Sequence, residues 1–326
     1  MRSELFRKVL ITGISGSGGS YLAERILNKY PNCEIYGIFR SHTSGHVDNL
    51  EEIIQQIKIF SCDMQDFGQL FRILDEISPD LIFNVASQAN VLDSFLNSQS
   101  TLFNNVVLMS NLLEVLRILK SDAVLVHCST SEVYGIVNEK EIPITENQHL
   151  RPSSPYSVSK ITQDLLCDVY GKVYGLKIIK TRMFTYINPR RTDLFAPSFA
   201  KQIAEIEIGK RQVLRHGNLN SIRTILDIRD AMDAYIHAAN FCKFGETYNI
   251  GGDFKLTIKE FLEKMLAYSE FDIKTEIDEK LMRPIDVTLQ IPDDSKFRTM
   301  SGWQPIYSLD ESILHLLDFW RRRISR

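Results

Sequence analysis

Short apolar runs alternate with amphipathic segments along the first half of the chain. The runs that read as buried strands lie at 8–12, 34–39, 57–60, 81–85, 123–126 and 176–179, and a helical segment near 19–30 follows the first. Strands that alternate with helices are typical of a parallel sheet with helices on both faces. We therefore predict an α/β fold built on a doubly wound parallel sheet.

The alternation of strands and helices becomes less regular after about residue 180. Prolines separate shorter elements there, and arginines cluster. Segments 227–239 and 247–250 again read as a helix and a strand that can rejoin the sheet. We predict a sheet domain of residues 1–180 plus about 227–252. Residues 181–226 and 253–326 then form a smaller, mostly helical region that closes over a ligand.

Composition narrows the class of protein. The chain has 326 residues, 44% hydrophobic and 24% charged, with a net charge of −3. These values are ordinary for a globular protein and indicate neither a nucleic-acid nor a membrane partner. No apolar run approaches the roughly 20 residues of a membrane span, and the N-terminal residues lack the layout of a secretory signal. The five scattered cysteines indicate reduced thiols in the cytoplasm and no metal site.

A glycine-rich turn follows the first predicted strand and opens a helix. Its members are Gly13, Ser15, Gly16, Ser17 and Gly19. A turn of this kind lets backbone amides and a helix N-terminus approach a pyrophosphate. Because it stands between a strand and a helix, it predicts a dinucleotide site in the sheet domain.

Residues after the next strands extend this predicted cofactor site. The second strand ends at Arg40 without the acidic residue expected to bind an NAD ribose, and an arginine suits a 2′-phosphate. NADP is therefore favoured over NAD, which stays an alternative. Further cofactor contacts are predicted at Asp63, Met64, Ala86, Ser87 and Gln88.

Tyr156 and Lys160 are four residues apart and share one face of a predicted helix that begins after Ser154. An ammonium near a phenol favours the phenolate, so we expect Lys160 to lower the pKa of Tyr156 and make it a base. Thr130 offers a hydroxyl to the same substrate oxygen, and Glu132 adds a carboxylate. An ordinary helix start with an exposed tyrosine and lysine is the alternative, which the glycine turn disfavours.

The segment 104–119 is helical in composition and apolar on more than one face. Such a helix is buried on two sides. We expect a homodimer interface shared between this segment and the helix at 156–170, with a tetramer as a further assembly and internal packing as the alternative.

With these motifs in place, the chain resembles the extended short-chain dehydrogenase/reductase family, whose cofactor domain is of the Rossmann type. The first half, with Ser129-Thr-Ser-Glu-Val-Tyr-Gly135, is similar to GDP-mannose 4,6-dehydratase. The second half, with Asp227-Ile-Arg-Asp230 and Arg283-Pro-Ile-Asp-Val287, looks more like GDP-4-keto-6-deoxy-mannose reductase. The resemblance implies that Tyr156 is the base, that Lys160 is its partner and that both contact the cofactor. It also implies substrate contacts from Thr130, Ser131, Arg190, Asn218, Arg223 and Arg283.

This resemblance predicts an NAD(P)-dependent oxidoreductase that exchanges a hydride at C4 of a GDP-mannose-type sugar, as a reductase or a C4 dehydrogenase. The alternative is a 4,6-dehydratase, in which Glu132 removes the C5 proton, and a non-catalytic cofactor sensor is more distant. The chain departs from its relatives at Thr185-Tyr186 and at Thr224-Ile225, which leaves the sugar open between a hexose and a heptose.

Overall fold

The central element is a seven-stranded parallel sheet. The computed structural model describes residue 2, residues 6–40 and residues 48–325. The strands of the sheet are β1 (Lys8–Thr12), β2 (Glu34–Phe39), β3 (Ile57–Ser61), β4 (Leu81–Asn84), β5 (Val124–Thr130), β6 (Lys177–Met183) and β10 (Thr247–Ile250). Neighbouring strands follow the order β10-β6-β5-β4-β1-β2-β3. The predicted doubly wound α/β fold is confirmed.

Helices cover both faces of this sheet. They are α1 (Ser17–Lys29), α2 (Phe67–Ile77), α3 (Val91–Leu96), α4 (Ser98–Ile118), α5 (Pro155–Tyr174) and α7 (Ile228–Phe241). Val9 and Ile11 pack in the same core as α1 and α7, whereas Leu10 packs in the core of α2 and α4. Because successive strand residues point to opposite faces, a continuous apolar run fills both cores.

The remaining elements form a second region with its own apolar core. Its helices are α6 (Phe195–Glu207), α8 (Ile258–Leu266) and α10 (Leu309–Ser325). The short helix α9 (Ser295–Ser301) packs instead against α7 and β10, and its Phe297 lies in the core of the central sheet. Two small sheets accompany them, built from β7 (Tyr186–Ile187), β8 (Val213–His216), β9 (Ile222–Asp227), β11 (Phe254–Thr257), β12 (Lys274–Ile277) and β13 (Leu289–Gln290). Phe199, Phe261 and Leu316 lie in this core.

The chain crosses between the two regions. It leaves the central sheet after β6 and returns to it at β10, which pairs with β6 in parallel.

The predicted helix at 104–119 begins earlier, at Ser98, and packs against α5. In the described part of the chain, no helix has the length and apolar character needed to cross a membrane.

Candidate active site

A cleft of about 960 Å³ lies over the carboxyl ends of the central strands and under the second region. The carboxyl ends of parallel strands are where ligands bind in open α/β sheets. All but one of the residues predicted for the site line this cleft. The cleft therefore joins the predicted cofactor and substrate residues in one cavity.

The glycine turn is shaped to admit a pyrophosphate. Gly13 has a φ of +70°, and a Cβ on it would lie 2.9 Å from the Ala86 backbone. A Cβ on Gly19 would lie 2.3 Å from the Gly13 oxygen, so only glycine lets α1 start this close to the turn. α1 begins without a side-chain cap and without an acidic residue in its first turn. Its N-terminal amides thus remain available to an anion, and the site fits a dinucleotide.

Arg40 and Asp63, which follow β2 and β3, are predicted to contact the cofactor. The Nη1 atom of Arg40 donates to Asn104 Oδ1 at 3.0 Å, and Gln65 Nε2 donates to the same oxygen at 3.1 Å. Asp63 accepts from the Gln65 backbone at 3.0 Å. Both charged side chains border the cleft.

Gln88 is the exception among the predicted cofactor residues, because it does not line the cleft. Its backbone N–H donates to Asn105 Oδ1 at 2.8 Å, and its carbonyl accepts from Asn105 Nδ2 at 3.0 Å. Asn105 also donates to Ser159 Oγ at 2.9 Å. The loop after β4 is thereby fixed to α4 and α5, and the cofactor contact of Gln88 stays a prediction.

The start of α5 is built as its sequence predicts. Ser154 caps the helix by a reciprocal pair of hydrogen bonds with Ser157, and Pro155 occupies the first turn. Tyr156 and Lys160 are both buried, at 8% and 2% exposure, and both border the cleft. The Lys160 Nζ atom donates to the Cys128 carbonyl at 2.8 Å, which fixes the side chain against β5.

The expected lowering of the Tyr156 pKa is wrong for the protein without a bound cofactor. Burial raises the pKa of Tyr156 above its ordinary value of 10, while the Arg191 charge and a hydrogen bond with Thr130 oppose the rise. Burial also lowers the pKa of Lys160 to about 8, although the nearby Asp164 carboxylate opposes the change. Desolvation disfavours each charged form and outweighs the attraction that the spacing alone indicated.

Glu132 lies in a 3₁₀ turn, Ser131–Tyr134, directly after β5. Its backbone N–H donates to Thr130 Oγ1 at 3.2 Å. Its Oε1 atom accepts from Gln290 Nε2 at 3.3 Å and lies 3.6 Å from Arg283 Nη1. Oε2 is buried and has no hydrogen-bond partner among the described residues. Contacts with Gln290 and Arg283 thus fix Oε1, whereas Oε2 is available to accept a hydrogen bond or a proton.

The second region contributes a polar edge to the cleft. Arg223 is buried, donates to the Val287 carbonyl at 2.5 Å and lies 3.9 Å from Asp286. Asn218 donates to Asp286 at 2.5 Å. Both predicted substrate residues therefore border the cleft with their orientation fixed by the 286–287 segment.

Arg190 and Arg191 are adjacent in the chain, but their side chains bind different parts of the protein. Arg190 donates to Ser20 Oγ at 2.8 Å and to Glu24 at 2.6 Å, and its guanidinium lies 4.0 Å from the ring centroid of Tyr21. Arg190 therefore joins the second region to α1, although it borders the cleft.

Arg191 is the arginine whose charge acts on Tyr156, and sequence reasoning did not assign it to the site. Its Nη2 atom donates to the Ala89 carbonyl at 2.7 Å, and its Nε atom donates to Asp193 at 3.0 Å. Gln290 also lines the cleft and had no sequence signal, whereas Tyr186 was noted only as a departure from the relatives. For Arg191, the signal was the pair of arginines after Pro189.

Comparison with known proteins identifies the family of this chain. The model of the GDP-mannose 4,6 dehydratase family matches residues 10–316. A GDP-mannose 4,6-dehydratase of Yersinia enterocolitica is 28% identical, over 94% of this chain and 91% of the relative. A GDP-6-deoxy-D-mannose reductase of Pseudomonas aeruginosa is 27% identical, over 76% of this chain and 82% of the relative.

A solved structure gives the same picture of the fold. The UDP-glucuronic acid 4-epimerase of Bacillus cereus, in complex with UDP-glucuronic acid and NAD, superposes with a TM-score of 0.82 at 26% identity. The match covers 97% of this chain and 99% of the epimerase. The family model spans nearly the whole chain, and the chain belongs to the GDP-mannose 4,6-dehydratase family of extended short-chain dehydrogenases/reductases.

Proposed function

We propose that the protein is an NAD(P)-dependent oxidoreductase that exchanges a hydride at C4 of a GDP-mannose-type nucleotide sugar. The observation that carries this proposal is the convergence of Thr130, Tyr156 and Lys160 with the glycine turn in one cleft. The names of the two relatives support a GDP-linked mannose derivative as the substrate class. A bound nicotinamide supplies the hydride acceptor or donor.

The protein residues supply the proton transfer and the positioning. Tyr156 takes the proton of the C4 hydroxyl in oxidation and returns it in reduction, while Thr130 orients the same oxygen. Because burial raises the pKa of Tyr156, nearby positive charge has to stabilise its phenolate. We assign this role to the Arg191 guanidinium, whose charge lowers the Tyr156 pKa, and to the Lys160 ammonium one helical turn away. A closed cleft that holds the sugar C4 and the nicotinamide close together in the reacting orientation supplies much of the remaining rate acceleration.

NADP is the cofactor that the site favours. Arg40 follows β2 and borders the cleft at the position where an acidic residue would bind an NAD ribose. A guanidinium there suits a 2′-phosphate. Asp63, Met64, Ala86 and Ser87 complete the proposed cofactor contacts. Free thiols at all five cysteines support a reducing, cytoplasmic setting.

A 4,6-dehydratase is the second candidate, and Glu132 favours it. After C4 oxidation, loss of water across C5 and C6 needs a base for the C5 proton. The Oε2 atom of Glu132 is buried and accepts no hydrogen bond from the described residues, so it is available as a base. Arg283 and Gln290 contact the other oxygen, Oε1. Ser131, between Thr130 and Glu132, has no acidic group for the leaving water. The same C4 step serves both candidates, so Glu132 decides between them.

Product analysis separates the two candidates. The protein is incubated with GDP-mannose, a GDP-mannose-type heptose and the GDP-4-keto-6-deoxy sugar, and products are followed by NMR. For the oxidoreductase, Glu132→Gln slows C4 exchange only modestly, and no solvent deuterium enters C5. For the dehydratase, the same variant stops product formation, and the wild-type product carries deuterium at C5. Loss of C4 exchange in Glu132→Gln would contradict this division of roles.

We infer that residues 1–180 with 227–252 bind the dinucleotide and that residues 181–226 with 253–326 bind the sugar nucleotide. The return of β10 to the central sheet and the separate core around Phe199 and Phe261 support this division. The sugar nucleotide then lies between Glu132 on one side and Asn218, Arg223 and Arg283 on the other.

We also propose a homodimer through α4 and α5. Val158, Leu165, Val169 and Val173 are exposed along α5 at helical spacing, and Phe103 is exposed on the adjoining α4. A contiguous apolar stripe of this kind marks a protein interface. Sedimentation of Leu165→Glu/Val169→Glu is expected to give a monomer at micromolar concentration, with Ile306→Glu as an exposed control that stays dimeric. A wild-type monomer under these conditions contradicts the interface.

A further inference from the structure

A buried carboxylate lies behind the candidate catalytic pair. Asp164 follows Lys160 by four residues on α5 and is 1% exposed. It is therefore one helical turn, about 5.4 Å along the axis, from Lys160 and two turns from Tyr156. Its Oδ2 atom accepts from Arg182 Nε at 2.9 Å. The mechanism proposed above makes no use of this group.

His127 faces the other oxygen of Asp164, with Nε2 3.5 Å from Oδ1. Asn84 fixes the ring: its Oδ1 accepts from Thr12, so its Nδ2 points to His127 Nδ1 at 3.4 Å. We assign the ring proton to Nε2 from this network. Burial lowers the pKa of His127 to about 4, so the ring is neutral at pH 7 and adds no charge to the cluster.

The cluster contains more positive than negative charge. Asp164 is ion-paired with Arg182, and its charge also acts on Lys160 one helical turn away, whereas Lys180 is paired with Asp168. The titratable and charged groups around it are Tyr156, Cys167 and Asp168 on α5, His127 and Cys128 on β5, Lys180 and Arg182 on β6, Tyr235 on α7, and Tyr134 and Glu146 beyond Arg182. Without Asp164, two buried cations would lack an anion, which burial makes expensive.

Arg182 connects the same carboxylate to the turn that carries Glu132. Its Nη1 atom donates to the Tyr134 hydroxyl at 3.0 Å, and that hydroxyl donates to Asn249 Oδ1 at 2.7 Å. Tyr134 is the last residue of the 3₁₀ turn that begins at Ser131. The chain of contacts therefore runs from α5 through β6 to the 3₁₀ turn that carries Glu132.

We propose that Asp164 is a positioning residue that keeps the Lys160 side chain charged, one helical turn from Tyr156 on α5. The proposal rests on the C4 chemistry proposed above, because the charged lysine is needed for the Tyr156 phenolate. Asp164 balances Arg182, and the one remaining positive charge of the cluster is the counter-charge of that phenolate. Asp164 acts through Lys160 and does not touch the substrate.

The test is an NMR titration of lysine labelled with ¹³C at the ε position. The Lys160 resonance is the one missing from Lys160→Met, and in the wild type it titrates near pH 8. In Asp164→Asn, loss of the carboxylate lowers this midpoint by about one pH unit or more. Asp168→Asn, which removes a carboxylate paired with Lys180, is the matched control and leaves the midpoint in place. An unchanged midpoint in folded Asp164→Asn overturns the proposal.

Two further measurements keep the test decisive. If Asp164→Asn does not fold, Arg182→Gln replaces it in the titration. This variant removes the neighbouring cation and is therefore expected to raise the titration midpoint of Lys160. An Arg182→Gln variant without that rise overturns the proposal. With substrate, the alkaline limb of the kcat/KM profile moves to lower pH in Asp164→Asn, which a merely structural defect would not cause. The titration needs no substrate, so its outcome is separate from that of the turnover assays.

Discussion

Replacing Lys160 with methionine is expected to abolish turnover and to stabilise the folded protein. The side chain is 2% exposed, and burial lowers its pKa from 10.5 to about 8. One pKa unit corresponds to about 1.36 kcal/mol, so holding the ammonium inside the fold costs roughly 3 kcal/mol at neutral pH. Methionine fills a similar volume without that cost.

One loss reduces the gain. The substitution removes the hydrogen bond from Lys160 Nζ to the Cys128 carbonyl, which is worth about 1 kcal/mol. Asp164 keeps its ion pair with Arg182, so no buried carboxylate is left unpaired. The net expectation at pH 7 is a variant more stable by about 1–2 kcal/mol.

Urea unfolding of both proteins between pH 7 and pH 10 measures this difference. Below pH 8 both the folded and the unfolded wild type carry the proton, and the cost is fully present. Between pH 8 and 10.5 the folded protein loses the Lys160 proton first, so wild-type stability rises relative to the variant. The advantage of Lys160→Met should therefore shrink toward pH 10. A variant less stable than the wild type by more than about 1 kcal/mol at pH 7 would refute this reasoning.

Two other substitutions test the turn and the buried histidine. Gly19→Ala places a Cβ 2.3 Å from a backbone oxygen of the turn, so calorimetric titration should show nicotinamide dinucleotide binding weakened at least about tenfold. Gly68→Ala is the control, because the nearest atom to its added Cβ lies at 3.6 Å. Equal binding by both variants would argue against the clash. His127 protonates at 6.5 when unfolded but at about 4 when folded, so this residue removes about 2 kcal/mol of stability between pH 7 and pH 5. Urea unfolding of His127→Gln at both pH values should show a smaller loss than the wild type, and an equal loss would contradict the buried neutral ring.

The central strands were predictable because both of their faces are buried. The runs at 8–12 and 34–39 match β1 and β2 at both ends, since a strand buried on two sides is apolar at successive positions. The helix at 104–119 was placed correctly but begins at Ser98. Its first turns carry Ser98 and Ser100 with Gln99 between them, and these polar residues gave no helical signal.

The candidate site was predictable where one local motif fixed it. Tyr156 and Lys160 share a helix face, and Thr130 ends a strand of the same sheet, so proximity followed from topology. Contacts from distant loops were not accessible: Gln290 reaches Glu132 across 158 positions. Whether the pKa of Tyr156 rises or falls also depends on how deeply the side chain is buried, and residue spacing carries no information about burial.

The central claim is hydride exchange at C4, and the fate of a C4 label tests it most directly. GDP-mannose and its 6-deoxy relative, each deuterated at C4, are incubated with the enzyme and oxidised nicotinamide, beside Tyr156→Phe as the matched control. We expect deuterium to leave C4 in the wild type, to the cofactor for an oxidoreductase or to C6 for a dehydratase, and to stay at C4 in the variant. Complete retention of the label by the wild type, with nicotinamide bound, would contradict the account.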